Sequence, residues 1–276
     1  MSVDILDTLK PAAAGLAFDR LATAYDSLFT FSAIGKSQRE VVWKRALTVF
    51  AIGNHILELN CGTGQDALFL AEAGMSVTAC DASLGMIEQA RRKMAVEAPD
   101  ASVEFLPLRT EEIGVLPPTP RFDGVFSNFS GLNCVGDLAS VAQQLSGRLT
   151  PGAPLLLCLS TRYCLWETIY FLLHGDPRKA LRRWKGVSQA RFGGQEFPVY
   201  YPTVAQLRSA FAPNFRLVSM TGIGVAVPPS YVESWMAPHP RLLKLLEAID
   251  ETVRAWPGLR TLGDHMLLHL EKVQSS

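Results

Sequence analysis

The sequence predicts one α/β domain, a mostly parallel sheet with helices packed on both faces. Three observations predict it. Short apolar runs alternate with amphipathic helical runs from about residue 53 to 160. Those apolar runs are nearly continuous rather than alternating, as strands covered on both faces are. A chain of 276 residues with 48% hydrophobic and 19% charged residues can bury a sizeable core.

The elements follow in order. Residues 16–50 read as helical, with Leu16, Leu21, Tyr25, Leu28 and Phe29 in a first run and Gln38 to Phe50 as a second. HILELN is a strand that ends at Cys61-Gly62. ALFLAEAG is a helix stopped by Gly74, a residue suited to a left-handed C-terminal cap. SVTACD is a second strand. SLGMIEQARRKMAVEA is a helix opened by Ser83, whose hydroxyl can cap the first turn. VEFLPL and FDGVFSNF are the third and fourth strands, separated by the Pro-rich stop LPPTPR. DLASVAQQLSGRL is a helix and APLLLCLS a fifth strand. The alternation then lapses from 161 to 202, where YCLWETIYFLLHGDPRKALRRWKG is aromatic first and basic after. It returns with TVAQLRSAFA as a helix, FRLVSMTGIGVAV as a strand, RLLKLLEAIDETVRAW as a long amphipathic helix, and DHMLLHLEK as a closing strand. The expected organisation is a single domain: a helical cap (1–52), a core (53–160), a lid insertion (161–202) and the last part of the sheet with a helical insertion (203–276).

Charge and cysteine content exclude several function classes. Lys+Arg and Asp+Glu both number 26, so broad electrostatic capture of nucleic acid is not expected. The 5 cysteines form no CxxC pair and read as buried thiols of a reducing compartment. No His/Cys/Asp cluster has metal-ligand spacing, so no metal is expected. MSVDILDTLK lacks the basic and apolar regions of a secretory leader, and no apolar run reaches the ~18 residues of a membrane span. These features point to the cytoplasm and leave peripheral membrane contact open; the expected partner is a small-molecule acceptor, and the expected state a monomer or homodimer.

The chemistry concentrates in Glu58-Leu59-Asn60-Cys61-Gly62-Thr63-Gly64-Gln65-Asp66. A strand runs into two glycines and a helix follows at once. Gly62 and Gly64 allow a sharp turn and close approach of backbone to ligand. The free N–H groups at the helix start favour anionic ligand groups. Asp81 ends the second strand, where a carboxylate can take both hydroxyls of a ribose. The ligand should therefore carry a nucleoside. Gly62-x-Gly64-x-x-Ala67 also satisfies the relaxed dinucleotide fingerprint, which keeps a nicotinamide-dependent oxidoreductase as an alternative.

ExxCGTG resembles motif I of the class I S-adenosylmethionine-dependent methyltransferases, and further elements agree. Ser83-Leu84-Gly85-Met86-Ile87 resembles that family's turn into the helix after the ribose acid. FDGVFSNF resembles its strand-four motif, and LTPGAPLLLCLS its approach to strand five. AFDRLATAYDSLF is similar to the cofactor-capping helix of the ubiquinone/menaquinone-methylase-like branch. The resemblance covers residues 18 to about 160. It implies a seven-stranded Rossmann-like sheet of order 3-2-1-4-5-7-6 with the last strand antiparallel. S-adenosylmethionine is the cofactor it implies, with S-adenosylhomocysteine as product. Gly62 and Gly64 would face the methionine part, in a turn that includes Asn60, Cys61, Thr63 and Asp66, with Glu58 nearby. Asp81 would hold the ribose. Ala82 and Met86 would flank the adenine, Asn128 and Phe129 would sit by the methyl, and Tyr25 would close over the cofactor.

One departure stands out. Many relatives carry an Asp after strand three that accepts from the adenine amino group. Arg109 occupies that place and has no acceptor, so backbone atoms, Thr110 or Glu111 must supply the contact.

A general base is needed only where the acceptor must lose a proton. The candidates are Asp264 and His265 before the last strand, and Tyr200 and Tyr201 after the lid. The 163–186 segment reads as a substrate lid, as a surface for a membrane or lipid-like substrate, or as a plain helix pair with a basic face. A quinone-like, lipid-like or secondary-metabolite acceptor suits its aromatic content. A protein of this fold that binds S-adenosylmethionine without turnover is the remaining alternative.

Overall fold

A computed structural model describes residues 12–274. The leader-type reading of MSVDILDTLK and the first part of the cap lie outside the described residues. The elements are α1 (Ala13–Asp19), α2 (Ala22–Tyr25), α3 (Ala33–Val49), β1 (His55–Leu59), α4 (Gln65–Glu72), β2 (Ser76–Asp81), α5 (Leu84–Glu97), β3 (Val103–Pro107), β4 (Gly124–Ser127), α6 (Leu138–Ser146) and β5 (Pro154–Ser160). Then come α7 (Leu165–Leu173), α8 (Pro177–Ala180), β6 (Val187–Phe192), β7 (Gln195–Tyr200), α9 (Val204–Phe211), β8 (Phe215–Ile223), α10 (Glu233–Met236), α11 (Pro240–Val253) and β9 (His265–Lys272).

Seven strands form one sheet in the order β3-β2-β1-β4-β5-β9-β8. Counted along this sheet, that is the expected order, since β8 and β9 are its sixth and seventh strands. β1 to β5 pair in parallel, and β9 runs antiparallel to both β5 and β8. The reversal matters for the site. Ser160, at the end of β5, pairs with His265, at the start of β9. The one reversed strand thus begins at the carboxyl edge where the parallel strands end, which is where ligands bind in such sheets.

The two faces of the sheet pack different helices. Leu57, Val125, Leu155 and Leu157 meet Leu138, Val141 and Leu145 of α6 and Leu207 and Phe211 of α9. Their neighbours Ile56, Val77, Phe126 and Leu156 turn the other way, onto Val42 of α3, Leu68 of α4 and Ile87 of α5. The two-residue period of a strand assigns each side chain to its face. Burying each such Leu or Ile contributes about 1.5–3 kcal/mol. Helix starts are fixed by the side chains the sequence offers: Ser83 accepts from the Met86 N–H, and Thr203 forms a reciprocal capping box with Gln206.

Two regions differ from the sequence reading. The first helical stretch is not continuous. A π-helical turn, Asp26–Thr30, separates α2 from α3, and Ser32 restarts the helix by accepting from the Gly35 N–H. The second half of the lid insertion is a β-hairpin, β6–β7, outside the main sheet. Gly193 and Gly194 make its two-residue turn with φ of 55° and 73°, the backbone a tight hairpin needs. A Cβ at Gly193 would stand 2.8 Å from the Ala17 carbonyl oxygen, so the turn can press against α1 only as glycine.

Candidate functional site

The turn after β1 supplies the floor. Asn60, Gly62 and Gly64 have φ of 56°, 53° and 76°. The two glycines serve different ends. A Cβ at Gly64 would come within 2.9 Å of the Ala90 Cβ and 3.1 Å of the Phe105 ring, so this glycine lets α4 pack onto α5 and β3. A Cβ at Gly62 would meet nothing within 4 Å, and Gly62 lines a cavity of about 560 Å³. At the end of β2, Asp81 accepts from the Gly62 N–H at 2.9 Å and from the Ser83 N–H at 2.8 Å, one donor on each carboxylate oxygen. Each oxygen therefore keeps acceptor capacity for a ligand hydroxyl. Burial pushes the Asp81 carboxyl above its ordinary value, and the backbone donors oppose that.

Behind the turn lies a buried polar cluster. Asp66 on α4 accepts from Arg39 at 2.5 Å, from the Trp43 indole at 2.6 Å and from Asn128 at 3.2 Å. The Arg39 guanidinium lies 4.8 Å from the Phe129 ring centroid, a cation–π contact. Arg39 Nε and Glu58 Oε2 are buried without hydrogen-bond partners. Glu58 sits mid-sheet between Ala79 and Phe126. Its burial and the Asp66 charge push its carboxyl well up, against the pull of Arg39.

The cap forms the roof. Asp19 at the end of α1 accepts from the Ser83 hydroxyl and the Gly85 N–H, fastening α1 to the start of α5. Asp26 takes Lys93 at 2.7 Å and the Thr63 hydroxyl at 2.5 Å. Tyr25 packs on Phe29 and Phe18, and Phe18 in turn meets Phe192 and Phe197 of the hairpin. These aromatic rings line the cavity together with Tyr25, whose phenol is pushed up by burial.

The far wall starts at the strained end of β4. Phe129 and Ser130 hold φ of 45° and 69°, a conformation that bulky residues rarely adopt and that clusters at functional sites. The His265 ring lies edge-on to Phe129 at 5.4 Å. Its Nδ1 is 3.5 Å from Asp264 Oδ2, too long for a hydrogen bond yet a close charge contact. Burial holds His265 below its ordinary value, with Asp264 opposing and Arg183 adding. Burial pushes Asp264 up, but His265 and Arg183 outweigh it and hold the carboxyl below the usual range. Arg183 reaches Asp264 at 2.9 Å and Glu167 of α7 at 2.8 Å. A chain of charges thus runs from the insertion to the cavity wall.

The structure brings most of the expected residues together. Tyr25, Asn60, Cys61, Gly62, Thr63, Asp66, Asp81, Ala82, Met86, Thr110, Glu111, Asn128, Phe129, Asp264 and His265 all line the cavity. Five others do not. Gly64 packs the turn and Glu58 lies beneath it. Arg109 points its guanidinium to Glu111 and Glu112, leaving Thr110 and Glu111 at the cavity. The Tyr200 carbonyl is held by Asn133, and Tyr201 lies buried under Arg183. Sequence reading missed Asp19, Asp26, Arg39 and the hairpin. Asp19 and Asp26 stand in the AFDRLATAYDSLF segment, but their partners Ser83, Thr63 and Lys93 lie far off in sequence, as do those of Arg39. The hairpin carried a local signal, the Gly-Gly pair between VSQARF and QEFPVY.

The described residues hold no group of His, Cys, Asp and Glu that could bind a metal. The 5 cysteines are free, and burial pushes each thiol up, away from the reactive thiolate form.

Comparison with known proteins agrees with this geometry. Residues 56–152 match the family model described as Methyltransferase domain. A demethylmenaquinone methyltransferase of Mycobacterium marinum is 31% identical over 59% of this chain and 68% of its own length. One of Clavibacter sepedonicus is 33% identical over 54% of this chain, a stretch that spans 58% of that relative's length. A Listeria monocytogenes structure described as a putative S-adenosylmethionine-dependent methyltransferase shares the fold, with a TM-score of 0.61 at 18% identity over 88% of this chain and 99% of that one.

Proposed function

Since the chain belongs to the class I S-adenosylmethionine-dependent methyltransferases, we propose that it methylates a flat, apolar acceptor of the quinol class. The observation that carries this reading is the cavity. It runs unbroken from Gly62 and Asp81 to Phe129 and His265 under a roof of Phe18, Tyr25, Phe192 and Phe197. The names of the Mycobacterium and Clavibacter relatives support the quinol class.

The residues present fit S-adenosylmethionine. Open space faces the cavity at Gly62, and Asp81 has acceptor capacity left for two ribose hydroxyls. Arg39 lines the cavity, and its guanidinium would meet the methionine carboxylate. Ala82 and Met86 would flank the adenine, with Thr110 or Glu111 meeting its amino group in place of Arg109. Asn60, Cys61, Thr63 and Asp66 would complete the methionine side, and Asn128 and Phe129 would stand beside the methyl. Tyr25 would close the roof.

When bound, the cofactor supplies an electrophilic methyl on a sulfonium, so that a C–S bond breaks as the bond to the acceptor forms. The protein's main contribution is to hold acceptor and methyl in line. An acceptor that attacks through a ring carbon or hydroxyl must shed a proton. His265 is neutral near pH 7, because burial lowers its proton affinity. It is the group we assign to take that proton, with Asp264 stabilising the imidazolium that results. Tyr200 and Tyr201 would act only through Asn133 and Arg183. The cap, core, insertion and last strands all contribute cavity residues, so we take them as one catalytic unit. The reduced, buried cysteines suit the cytoplasm as its compartment.

The test supplies S-adenosylmethionine with short-chain naphthoquinols and benzoquinols and follows S-adenosylhomocysteine and product mass. Acceptor-dependent turnover is expected. Binding of S-adenosylhomocysteine with no turnover on either quinol would overturn the acceptor and leave the cofactor standing.

A further inference from the structure

The helix α7 is packed inside out. Its one buried residue is Glu167, while Leu165, Ile169, Leu172 and Leu173 form an exposed stripe at helical spacing. Leu173 is 81% exposed and Leu172 51%. Ordinary surface helices do the reverse. The orientation is fixed, because Glu167 is clamped by Arg182 at 2.7 and 2.9 Å and by Arg183 at 2.9 Å. Turning the leucines inward would expel a paired, buried charge, at a cost few surface helices could meet.

The surroundings of the stripe have the composition of a membrane interface. Trp184 donates to the Thr168 hydroxyl of α7 and meets Tyr163 edge-on at 5.2 Å. Tyr231 packs on Tyr170 and Phe171. Arg178, Lys179 and Lys185 are exposed beside the helix, and Asp176 is the one acid from Gly175 to Gly186. The whole chain carries no net charge, so this positive cluster is local. Tryptophan and tyrosine at headgroup level, basic residues toward anionic headgroups and aliphatic residues toward the acyl chains are the pattern of an interfacial helix. No described helix is long and apolar enough to cross a bilayer.

We propose that the α7–α8 face docks on an anionic lipid surface. Aromatic and aliphatic residues would also suit a protein partner; the exposed Arg178, Lys179 and Lys185 beside the stripe, in a chain of no net charge, favour anionic headgroups. The face is tied to the cavity at two points. Glu167 connects through Arg183 to Asp264 on the cavity wall, and Tyr231 follows Ser230, which lines the cavity. Docking would therefore bring the reaction chamber to the bilayer. The proposal goes beyond the acceptor assignment and stands without it.

The experiment is flotation of the full chain with vesicles of phosphatidylcholine alone and of phosphatidylcholine with phosphatidylglycerol, without cofactor or acceptor. Flotation is expected with the anionic vesicles and not the neutral ones, and it should weaken with salt. Leu172→Asp with Leu173→Asp should reduce it at least tenfold. Reversing Arg178, Lys179 or Lys185 to Glu should cost about fivefold or more each. Both positions of the double variant are exposed, so S-adenosylhomocysteine affinity and circular dichroism should match the parent chain. No flotation, equal flotation on neutral vesicles, or equal flotation of the double variant would each overturn the proposal. So would a dimer in sedimentation that Leu172→Asp dissociates, because the stripe would then meet a second copy. None of these readouts depends on turnover, so failure here is distinct from failure of the quinol assignment.

Discussion

The turn after β1 and the wall before β9 face each other across one cavity, yet they are built by opposite means. The turn is made of neighbours in sequence: two glycines, a helix start and an acid at the end of the adjacent strand. Its polar groups meet one another, the Gly62 and Ser83 N–H groups donating to Asp81. The wall is assembled from far apart. His265 opens the last strand, Phe129 lies two residues past the fourth, and Arg183 comes from the insertion. Between them, Arg39 of the cap touches Asp66 on one side and Phe129 on the other. The difference teaches where each function is encoded. A nucleoside cofactor can be held by local backbone geometry, which many sequences share, whereas an acceptor must be met by side chains that each fold variant places anew.

The sharpest way to break this division is His265→Gln. The variant should lose about 10²–10⁴-fold in kcat, the usual worth of a general base. Its affinity for S-adenosylhomocysteine in calorimetry should stay within about twofold of the parent. The pH profile sharpens the point. His265 must be neutral to accept a proton, and burial keeps it neutral to below its ordinary value. The acid limb of kcat/KM should therefore fall below about pH 6.5. Asp264→Asn removes the charge that raises His265, so the limb should move further toward acid. A limb that stays put would separate Asp264 from the reaction.

Arg39→Met comes next because it severs the link between the halves. Removing one partner of a buried pair leaves Asp66 charged and unmatched, at a cost of about 3–5 kcal/mol. Urea unfolding should report it as a lower midpoint. A loss below about 1 kcal/mol would mean that Trp43 and Asn128 satisfy Asp66 without the cation.

These two residues also show what could be read from sequence and what could not. SVTACD coincides with β2, because a strand buried on both faces is a continuous apolar word with clear ends. Ser83 and Gly74 marked helix ends through their own chemistry, a hydroxyl acceptor and freedom at positive φ. Arg39 reads as one more polar residue on a cap helix, because its partners Asp66 and Phe129 lie 27 and 90 positions away. Arg183 belonged to a run of basic residues that looks solvated. Only folding shows that it is buried and paired twice. Glu167 alone in an aromatic helix was the available hint of the inverted packing. The β6–β7 strands bury only Phe197 and their sequences lack strict apolar alternation, so the Gly193-Gly194 turn was the signal and the strands were not.

Asp81→Ala should act on the cofactor half alone. Affinity for S-adenosylhomocysteine should fall by about 1–3 kcal/mol, the cost of unpaired polar groups in a buried site. The Gly62 and Ser83 N–H groups lose their acceptor as well, so the turn itself loosens. Acceptor KM at saturating cofactor should hold. Unchanged affinity would remove Asp81 from the ribose.

Glu58→Gln has the smallest expected effect and the most informative sign. Glu58 lies on the same strand as the turn, yet its carboxyl is buried with one oxygen unpartnered. Burial and the Asp66 charge raise its proton affinity well above the ordinary value. The folded protein therefore binds this proton at a pH where the unfolded chain has released it. Stability from this group is complete below the unfolded value of about 4.3 and is lost as pH rises through the folded one. Gln keeps the shape of the neutral acid and cannot ionise. Near pH 5 the variant should match the parent to within about 0.5–1 kcal/mol. As the pH rises toward 8, the urea midpoint of the ligand-free parent should fall relative to the variant. A gap that closes with rising pH would mean that Glu58 is held as a carboxylate, paired with Arg39, and that the strand-one acid belongs to the same charged cluster as the far wall.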